Sequence, residues 1–177
     1  LFSTVSARTA GLTIITIDRL SEASLLMLLV LMFIGGAPAS MAGGVTLSTV
    51  VVIGVAVTST VRGKPQAVAF DRVLPFETIT KAMAIMTIGT LLCVAVTLVL
   101  LVINPQTIFR TGFEVVSAFS NTGYSLGMTP ELTPAGRVLI AFTMFWGRLG
   151  PLTLVIMLAQ RERPVFARYP SERIIIG

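Results

Sequence analysis

Hydrophobic residues along the chain fall into four long stretches, which glycine-rich or polar segments separate. The first two, residues 25–34 and 45–61, are each shorter than the roughly 20 residues that cross the hydrocarbon core of a bilayer. A glycine-rich segment, 35–44, lies between them, so we interpret the pair as one membrane crossing that is interrupted in its middle. The other two stretches, 82–103 and 138–159, are each long enough to form a complete span.

A shorter apolar segment precedes the last stretch. Residues 107–119 carry apolar side chains at helical spacing, but the segment is too short to span, and it continues into the polar sequence SNTGYS. Irregular backbone at membrane depth is tolerated only where it is buried in protein or lines a water-filled cavity. The order of span, short re-entrant helix, glycine turn and span is therefore typical of a pore-loop unit.

The beginning of the chain resembles part of this unit. Residues 2–11 (FSTVSARTAG) and 113–123 (FEVVSAFSNTG) are both Phe/Val/Ser/Ala segments that end in small residues with a terminal glycine, and each precedes an apolar stretch. The chain would then contain the end of one unit and one complete unit. We divide it into a filter loop with an interrupted helix, a polar loop, a complete pore-loop repeat and a tail: 1–61, 62–76, 77–160 and 161–177.

The composition places the chain in a membrane. Of its 177 residues, 54% are hydrophobic and 12% are charged, and the charged share is about half that of a soluble protein. The chain has no His and one Cys, Cys93, so zinc sites, Ser/His or Cys/His catalysis and disulfide frameworks lack their parts. The spans also lack paired acids, and we expect no enzyme activity. Because the first residue is Leu1 and no signal peptide is recognisable, we interpret the chain as the C-terminal part of a longer protein.

The basic residues predict the orientation. They do not form one stripe, as a nucleic-acid surface would require, but cluster between and after the apolar stretches. By the positive-inside rule, the more basic loop 62–75 and the tail after Gln160 are cytoplasmic, and the connection 104–136 lies outside. The cytoplasmic set is Arg62, Lys64, Arg72, Arg161, Arg163, Arg168 and Arg173, and the outer set is Arg8, Arg19, Arg110 and Arg137.

The two glycine turns are the first candidates for function. A dehydrated monovalent cation needs several oxygens at once, and backbone carbonyls supply them without burying a charge. Glycine readily adopts the unusual dihedral angles that aim consecutive carbonyls at one axis, and the C-terminal end of a short helix favours cations. Thr9–Gly11 and Asn121–Gly123 are therefore candidate ion ligands. The alternative is that they are ordinary turns between helices.

The chain contains, in this order, the segments SARTAGL, FIGGAPASMAGGV, FEVVSAFSNTGYS, FWGRLGPLTL and RYPSERIIIG. Together they resemble the Trk/Ktr/HKT superfamily of cation transporters, and within it the KtrB/TrkH-type ion-translocating subunits of bacterial potassium uptake systems. The resemblance implies an all-α, polytopic protein of the cell membrane with four helix–pore-helix–filter–helix repeats around one pore. This chain would supply about one and a half of them: the end of the third repeat and the whole fourth.

The resemblance also assigns filter positions and an ion. They fall on Arg8, Thr9, Ala10 and Gly11 in the third repeat and on Asn121, Thr122 and Gly123 in the fourth. Family members that admit sodium tend to have Ser in place of a filter glycine, usually in the first repeat. Both glycines are intact here, which favours potassium as the transported ion, with a sodium-permeable member as the alternative.

The glycine-rich segment is the candidate gate, with Gly35, Gly36, Gly43 and Gly44 as its glycines. Glycines and a proline break the helical hydrogen-bond ladder and expose backbone groups. The resemblance implies an intramembrane loop that obstructs the cavity below the filter and moves during gating; a loose inter-helix loop is the alternative. The family commonly has a Lys where Thr46 stands here, so a contact of that cation is not carried over.

Arg148 is the second gate candidate. An arginine near a helix centre costs roughly 2.5–3.5 kcal/mol on insertion scales, so it should face a cavity or a partner. Gly147 and Gly150 would let a neighbouring backbone approach closely. The resemblance places Arg148 in the cavity beneath the filter as an electrostatic barrier, and an interhelical hydrogen-bond anchor is the alternative. For Glu114, in the short helix, we leave open whether it bonds backbone around the filter.

The resemblance implies partners beyond the lipid bilayer. They are a second copy of the subunit, with the C-terminus at the homodimer interface, and a cytosolic nucleotide-binding regulatory subunit of the KtrA/TrkA kind. The loop 62–75 and the basic tail are the surfaces where such a regulator would dock. Our hypothesis is selective potassium permeation. A non-conducting membrane scaffold or assembly subunit is the alternative from a different class.

Overall fold

The computed structural model describes residues 2–8, 10–13, 17, 20–37, 42–63, 66–69 and 72–149. The described part is mostly helical, which confirms the all-α class. The helices are α1 Phe2–Ser6, α2 Glu22–Phe33, α3 Leu47–Val61, α4 Phe76–Ile103, α5 Ile108–Ser120 and α6 Pro134–Leu149, with one 3₁₀ turn at Thr129–Glu131. The tail 161–177 and the last part of the predicted span 138–159 lie outside the described residues.

The predicted interruption between the first two apolar stretches is present. Helix α2 ends at Phe33 and α3 begins at Leu47. The two ends of the connecting loop are tied together, because Gly35 N donates to the carbonyl of Val45 (2.8 Å) and Leu47 N donates to that of Gly36 (3.1 Å). These two bonds satisfy backbone groups that leave the helical ladder at the two ends of the loop. Residues 38–41 at the loop's tip are not among the described residues.

Helix α4 is the described helix that is long and apolar enough to cross a membrane. It begins six residues before the apolar stretch, and in this first part Lys81 and Glu77 form an ion pair at 2.8 Å. Only 22% of its most apolar window is buried, so most of this apolar surface is not covered by the described part of the chain. Four of its threonine hydroxyls donate to the carbonyl one turn earlier, which satisfies them without water: Thr80, Thr87, Thr90 and Thr97.

Helix α5 is the buried centre of the fold. It packs against α2, α4 and α6, and every residue from 113 to 120 is buried. Its apolar side chains Phe113 and Phe119 are almost completely enclosed, and the ring of Phe119 stacks on that of Phe33 in α2 at a centroid distance of 6.0 Å. The bounds of α5 agree within one residue with the short helix predicted at 107–119.

The polar connection between α3 and α4 is more ordered than predicted. Two short antiparallel strands form a hairpin, in which β1 (Val68–Ala69) pairs with β2 (Arg72–Val73). Strands of two residues are too short to show the apolar–polar alternation that predicts a strand, so the pattern indicated only a loop. The hairpin lies at the end of α3 and packs against it.

Candidate ion-conducting site

The two glycine turns, far apart in the sequence, lie in direct contact. A Cβ atom built on Gly11 would stand 2.0 Å from the carbonyl oxygen of Thr122. The Thr122 hydroxyl donates to the carbonyl of Ala7 (3.1 Å), and the Tyr124 hydroxyl donates to that of Leu12 (3.1 Å). Backbone and side chains therefore hold one turn against the other along its length.

The same local hydrogen bond shapes both turns. Each follows a Val-Ser-Ala sequence, and in each the serine carbonyl accepts a bond from the amide five residues later. Gly11 N donates to Ser6 O and Thr122 N donates to Ser117 O, both at 3.1 Å. The shared bond supports the internal repeat, although the second turn reaches its glycine one residue later than the first.

The turns use backbone conformations that favour glycine. Gly11 and Gly123 have φ of +59° and +87°. Asn121, the residue that ends α5, is also left-handed (φ 55°), and its side-chain amide donates to the carbonyl of Met144 in α6 at 3.0 Å. Asparagine is a common alternative to glycine at such a helix end. The pore helix therefore ends abruptly, and the next residues form the turn.

Several carbonyl oxygens of the turns have no hydrogen-bond donor. Within the described part of the chain, no hydrogen bond ends on the carbonyl of Gly11, Thr122 or Gly123. Both turns border one recess of about 400 Å³, whose lining is Gly11, Thr13, Ile17, Gly123, Tyr124, Ser125 and Gly127. Oxygens without a donor beside such a recess are suited to coordinate a hard monovalent cation.

Electrostatics at the turns also favour a cation. The C-terminal end of α5 immediately precedes Asn121, and the last turn of this helix carries no basic residue. The partial negative charge of the helix end therefore lies next to the carbonyls of the turn, where Thr122 is buried and Gly123 is exposed.

The remaining predicted filter positions are less clearly placed in the site. The side chain of Arg8 lines a different recess, of about 410 Å³, together with Thr4, Val5, Met27 and Leu31. Ala10 lies in the turn and is exposed, and Thr9 falls outside the described residues. The structure thus brings Gly11 against Thr122, whereas Arg8 lines the second recess.

The glycine-rich loop lies against the C-terminal end of the pore helix. Gly43 N donates to the carbonyl of Ser120 (3.1 Å), and a Cβ atom on Gly43 would stand 2.7 Å from Phe119 O. A Cβ on Gly35 would stand 2.2 Å from Gly43 O, and Gly44 has φ of +81°. Three of the four predicted gate glycines are therefore buried at this contact, and Gly36 is half-buried beside it.

Helix α6 approaches the same point from another direction. A Cβ atom on Gly147 would stand 1.9 Å from the carbonyl oxygen of Phe119, so the two backbones are in van der Waals contact. This is the close approach predicted for Gly147, whereas Gly150 lies outside the described residues. Arg148 is the residue after Gly147, and it is exposed. A cationic residue therefore lies next to the position where α6 contacts the C-terminal end of α5.

Glu114 bonds side chains rather than the backbone. Its carboxylate is buried and accepts hydrogen bonds from the hydroxyls of Ser125 (2.8 Å) and Thr129. Both partners come from the segment after the filter turn, 11 and 15 residues farther along the chain. No sequence signal indicates such a pairing, because the partners belong to an irregular loop whose path the pattern of apolar residues does not define.

Polar contacts of Arg110 hold the same segment at other positions. The guanidinium of Arg110 forms a bidentate ion pair with Glu131, at 3.1 and 3.2 Å, and Arg110 Nε donates to the carbonyl of Leu126 at 3.0 Å. Such planar two-point pairs fix orientation as well as distance. The sequence places both residues in the connection 104–136 but does not show that they meet.

Comparison with known proteins identifies the family. The TrkH family, described as cation transport protein, matches residues 1–168. The chain is similar to the Ktr system potassium uptake proteins B and D of Bacillus subtilis, with 38% and 35% identity, and to the potassium/sodium uptake protein NtpJ of Enterococcus hirae, with 35% identity. The alignments cover 99–100% of this chain and 39–40% of these relatives. The chain therefore belongs to the TrkH family of cation transport proteins.

Proposed function

We propose that this chain supplies two adjacent filter segments of a potassium-conducting pathway. The observation that carries the proposal is the contact between Gly11 and the carbonyl oxygen of Thr122, beside a recess that Gly11 and Gly123 both line. In the described part of the chain, the carbonyls of Gly11, Thr122 and Gly123 accept no hydrogen bond. A potassium ion would exchange part of its hydration shell for these oxygens. The names of the relatives, which are potassium or potassium/sodium uptake proteins, support the choice of ion.

In this proposal the glycine-rich loop and Arg148 obstruct the pathway on the far side of the filter. The loop is held by the Gly43–Ser120 hydrogen bond and by the tie between Gly35 and Val45. The loop contacts Ser120 through the backbone of Gly43, and the ties between its two ends lie outside the helical ladders, so a movement of the loop would not unfold a helix. Arg148 would add an electrostatic barrier to cations near the same level.

The complete transport protein would contain four such repeats in the cell membrane. Two filter segments cannot close a ring around an ion, so the segments described above require the remaining repeats. We also propose that the C-terminal tail is cytoplasmic, that the subunit forms a homodimer, and that a cytosolic nucleotide-binding subunit regulates it. Two of the relatives are named as parts of a "Ktr system", which denotes a system of components. This name supports the proposal of a regulatory subunit.

Substitution of Gly123 tests the filter. Gly123 has φ of +87° and nothing within 4 Å of its added Cβ, so Gly123→Ser strains the turn without a clash. A left-handed conformation costs a residue with a Cβ about 1–2 kcal/mol. In the complete transport protein, we expect the ratio of potassium to sodium uptake to fall roughly tenfold, the change that about 1.4 kcal/mol produces.

The measurement is the initial uptake of each ion by transport-deficient cells. Gly63→Ser is the matched control, because Gly63 also has a positive φ (+65°) and open space but lies in the connection after α3. An unchanged ratio in Gly123→Ser, with normal protein levels, would contradict the filter role.

Shortening the glycine-rich loop tests the gate. Deleting residues 37–42 removes the tip of the loop but keeps Gly43 and Ser120, the two residues that form the contact with α5. We expect faster potassium uptake and a weaker response to the regulatory subunit, because the obstruction becomes smaller. The control keeps the length and replaces the same residues by Gly and Ser. Slower or equal uptake by the well-folded deletion variant argues against a gating loop.

A further inference from the structure

A buried carboxylate lies directly behind the proposed filter. Glu114 is 6% exposed and is the one charged residue among the buried residues that the structure describes. The ion pairs in the same described part are Lys81–Glu77 and Arg110–Glu131, so Glu114 is not neutralised by a cation there. A charged group at such a site costs free energy unless it is hydrogen-bonded, and an apolar residue of similar size would pack the helix without that cost.

The hydrogen bonds of Glu114 lead to the segment that follows the filter turn. Its carboxylate accepts from Ser125 and Thr129, the hydroxyls of these two residues are 3.1 Å apart, and Ser125 Oγ also accepts from Gly127 N at 3.1 Å. The three polar side chains and one amide thus form a continuous network. It joins the rigid, buried helix α5 to a loop that has no regular secondary structure before Thr129.

The loop after the filter turn needs contacts of this kind to remain ordered. It contains Gly123 (φ +87°) and Gly127 (φ +73°), and glycine loses more conformational freedom on ordering than any other residue. Ser125 lies midway between them and also lines the recess beside the filter carbonyls. Ser125 is two residues from Gly123, so the network that holds Ser125 lies close to the Gly123 carbonyl along the chain.

We propose that Glu114 is a positioning residue for ion selectivity, which fixes the carbonyls of the fourth filter segment through Ser125 and Thr129. The inference rests on the proposed filter function. The role is geometric: Glu114 acts through two neutral hydroxyls and does not contact the ion. The network holds the outer half of the turn, and the Thr122–Ala7 bond holds the inner half against the other repeat.

The test compares uptake of potassium and sodium by the complete transport protein in transport-deficient cells. We expect Glu114→Gln, which replaces one accepting oxygen by an NH₂ donor, to lower the selectivity ratio about fivefold, a size typical of coupling between contacting groups. Thr129→Val removes a hydroxyl and should act in the same direction, and Thr129→Ser retains the hydroxyl and should preserve the ratio. Glu22→Gln, at an exposed acid in the first turn of α2, is the matched control.

A double-mutant cycle separates positioning from general destabilisation. If the network acts as a unit, Glu114→Gln combined with Thr129→Val lowers the ratio less than the product of the two single effects. Multiplicative effects, or an unchanged ratio in both single variants, would overturn the inference. If Glu114→Gln does not fold, the comparison of Thr129→Val with Thr129→Ser tests the inference by itself. Thr129 is exposed, so its substitution should not prevent folding.

The same assay distinguishes this inference from the proposed function. If Gly123→Ser changes the ratio and the Glu114 and Thr129 variants do not, the filter assignment stands and the positioning role fails. If none of these substitutions changes the ratio, the filter assignment fails, and the positioning role fails with it.

Discussion

Gly147→Ala is expected to displace the C-terminal end of the pore helix and to abolish potassium uptake. The new Cβ would stand 1.9 Å from Phe119 O, 2.7 Å from Phe119 C and 3.0 Å from its Cα, and all three are backbone atoms that cannot rotate away. Overpacking of this kind costs about 3 kcal/mol. Because Phe119 is three residues before Thr122, the displacement passes directly to the filter turn.

The control for Gly147→Ala is Gly112→Ala, in the pore helix itself. Gly112 has nothing within 4 Å of an added Cβ, so the same chemical change meets no neighbour there. It should stabilise α5 by about 0.5–1 kcal/mol, the helical difference between Ala and Gly. The thermal midpoint of the purified complete transport protein and its potassium uptake measure both effects. A normal midpoint and normal uptake in Gly147→Ala would show that the contact with Phe119 is not rigid.

Gly11→Ala is expected to have the second-largest effect, because it combines strain with a clash. Alanine at φ +59° costs about 1–2 kcal/mol, and its Cβ would stand 2.0 Å from the carbonyl oxygen of Thr122. That oxygen is a proposed ion ligand, and the substitution would both push it aside and cover it. We expect potassium uptake to be lost while part of the protein still folds.

Gly63→Ala measures the strain alone. Gly63 has φ of +65° and open space around an added Cβ, so its substitution costs about 1–2 kcal/mol without any overlap. Uptake by this variant should remain near normal when corrected for the amount of folded protein. Equal losses of uptake in Gly11→Ala and Gly63→Ala would indicate that strain, and not the contact between the two turns, explains the effect.

The close contacts around Phe119 have a common physical basis. Glycines from three separate elements meet this residue: Gly43 from the loop after α2, Gly89 from α4 and Gly147 from α6. An added Cβ would stand 2.7 Å from Phe119 O at Gly43 and 3.4 Å from the ring at Gly89. Small residues let backbones approach closely in membrane proteins, where packing rather than the exclusion of water drives association. The end of the pore helix is therefore held from several sides.

Local pattern predicted the elements well. The apolar stretches and the break between the first two correspond to α2, α3 and α4, because each is set by the length of an apolar run or by a cluster of glycines. The short helix was placed within one residue for the same reason, since polar residues bound it on both sides. Glycine at positions 11 and 123 indicated turns with unusual dihedral angles, and both residues have positive φ.

Other features could not be predicted, because they depend on which elements meet. Glu114 and its two hydroxyl partners are joined by the path of an irregular loop, and the Arg110–Glu131 pair by the fold of the outer connection. The recess that Arg8 lines together with residues of α1 and α2 could not be read from its place in a motif. The hairpin strands are too short to produce a periodic signal.

By itself, the sequence determined that the chain is an all-α membrane protein. It also indicated where the helices break and which glycines form turns. These features follow from runs of apolar residues and from backbone freedom at single positions. Only the tertiary structure decided that Gly11 lies against Thr122, that the loop and α6 meet the pore helix at Phe119, and that Glu114 supports the segment beyond the filter. Those contacts join residues from distant parts of the chain, and distances of this kind arise from packing, which no local pattern encodes.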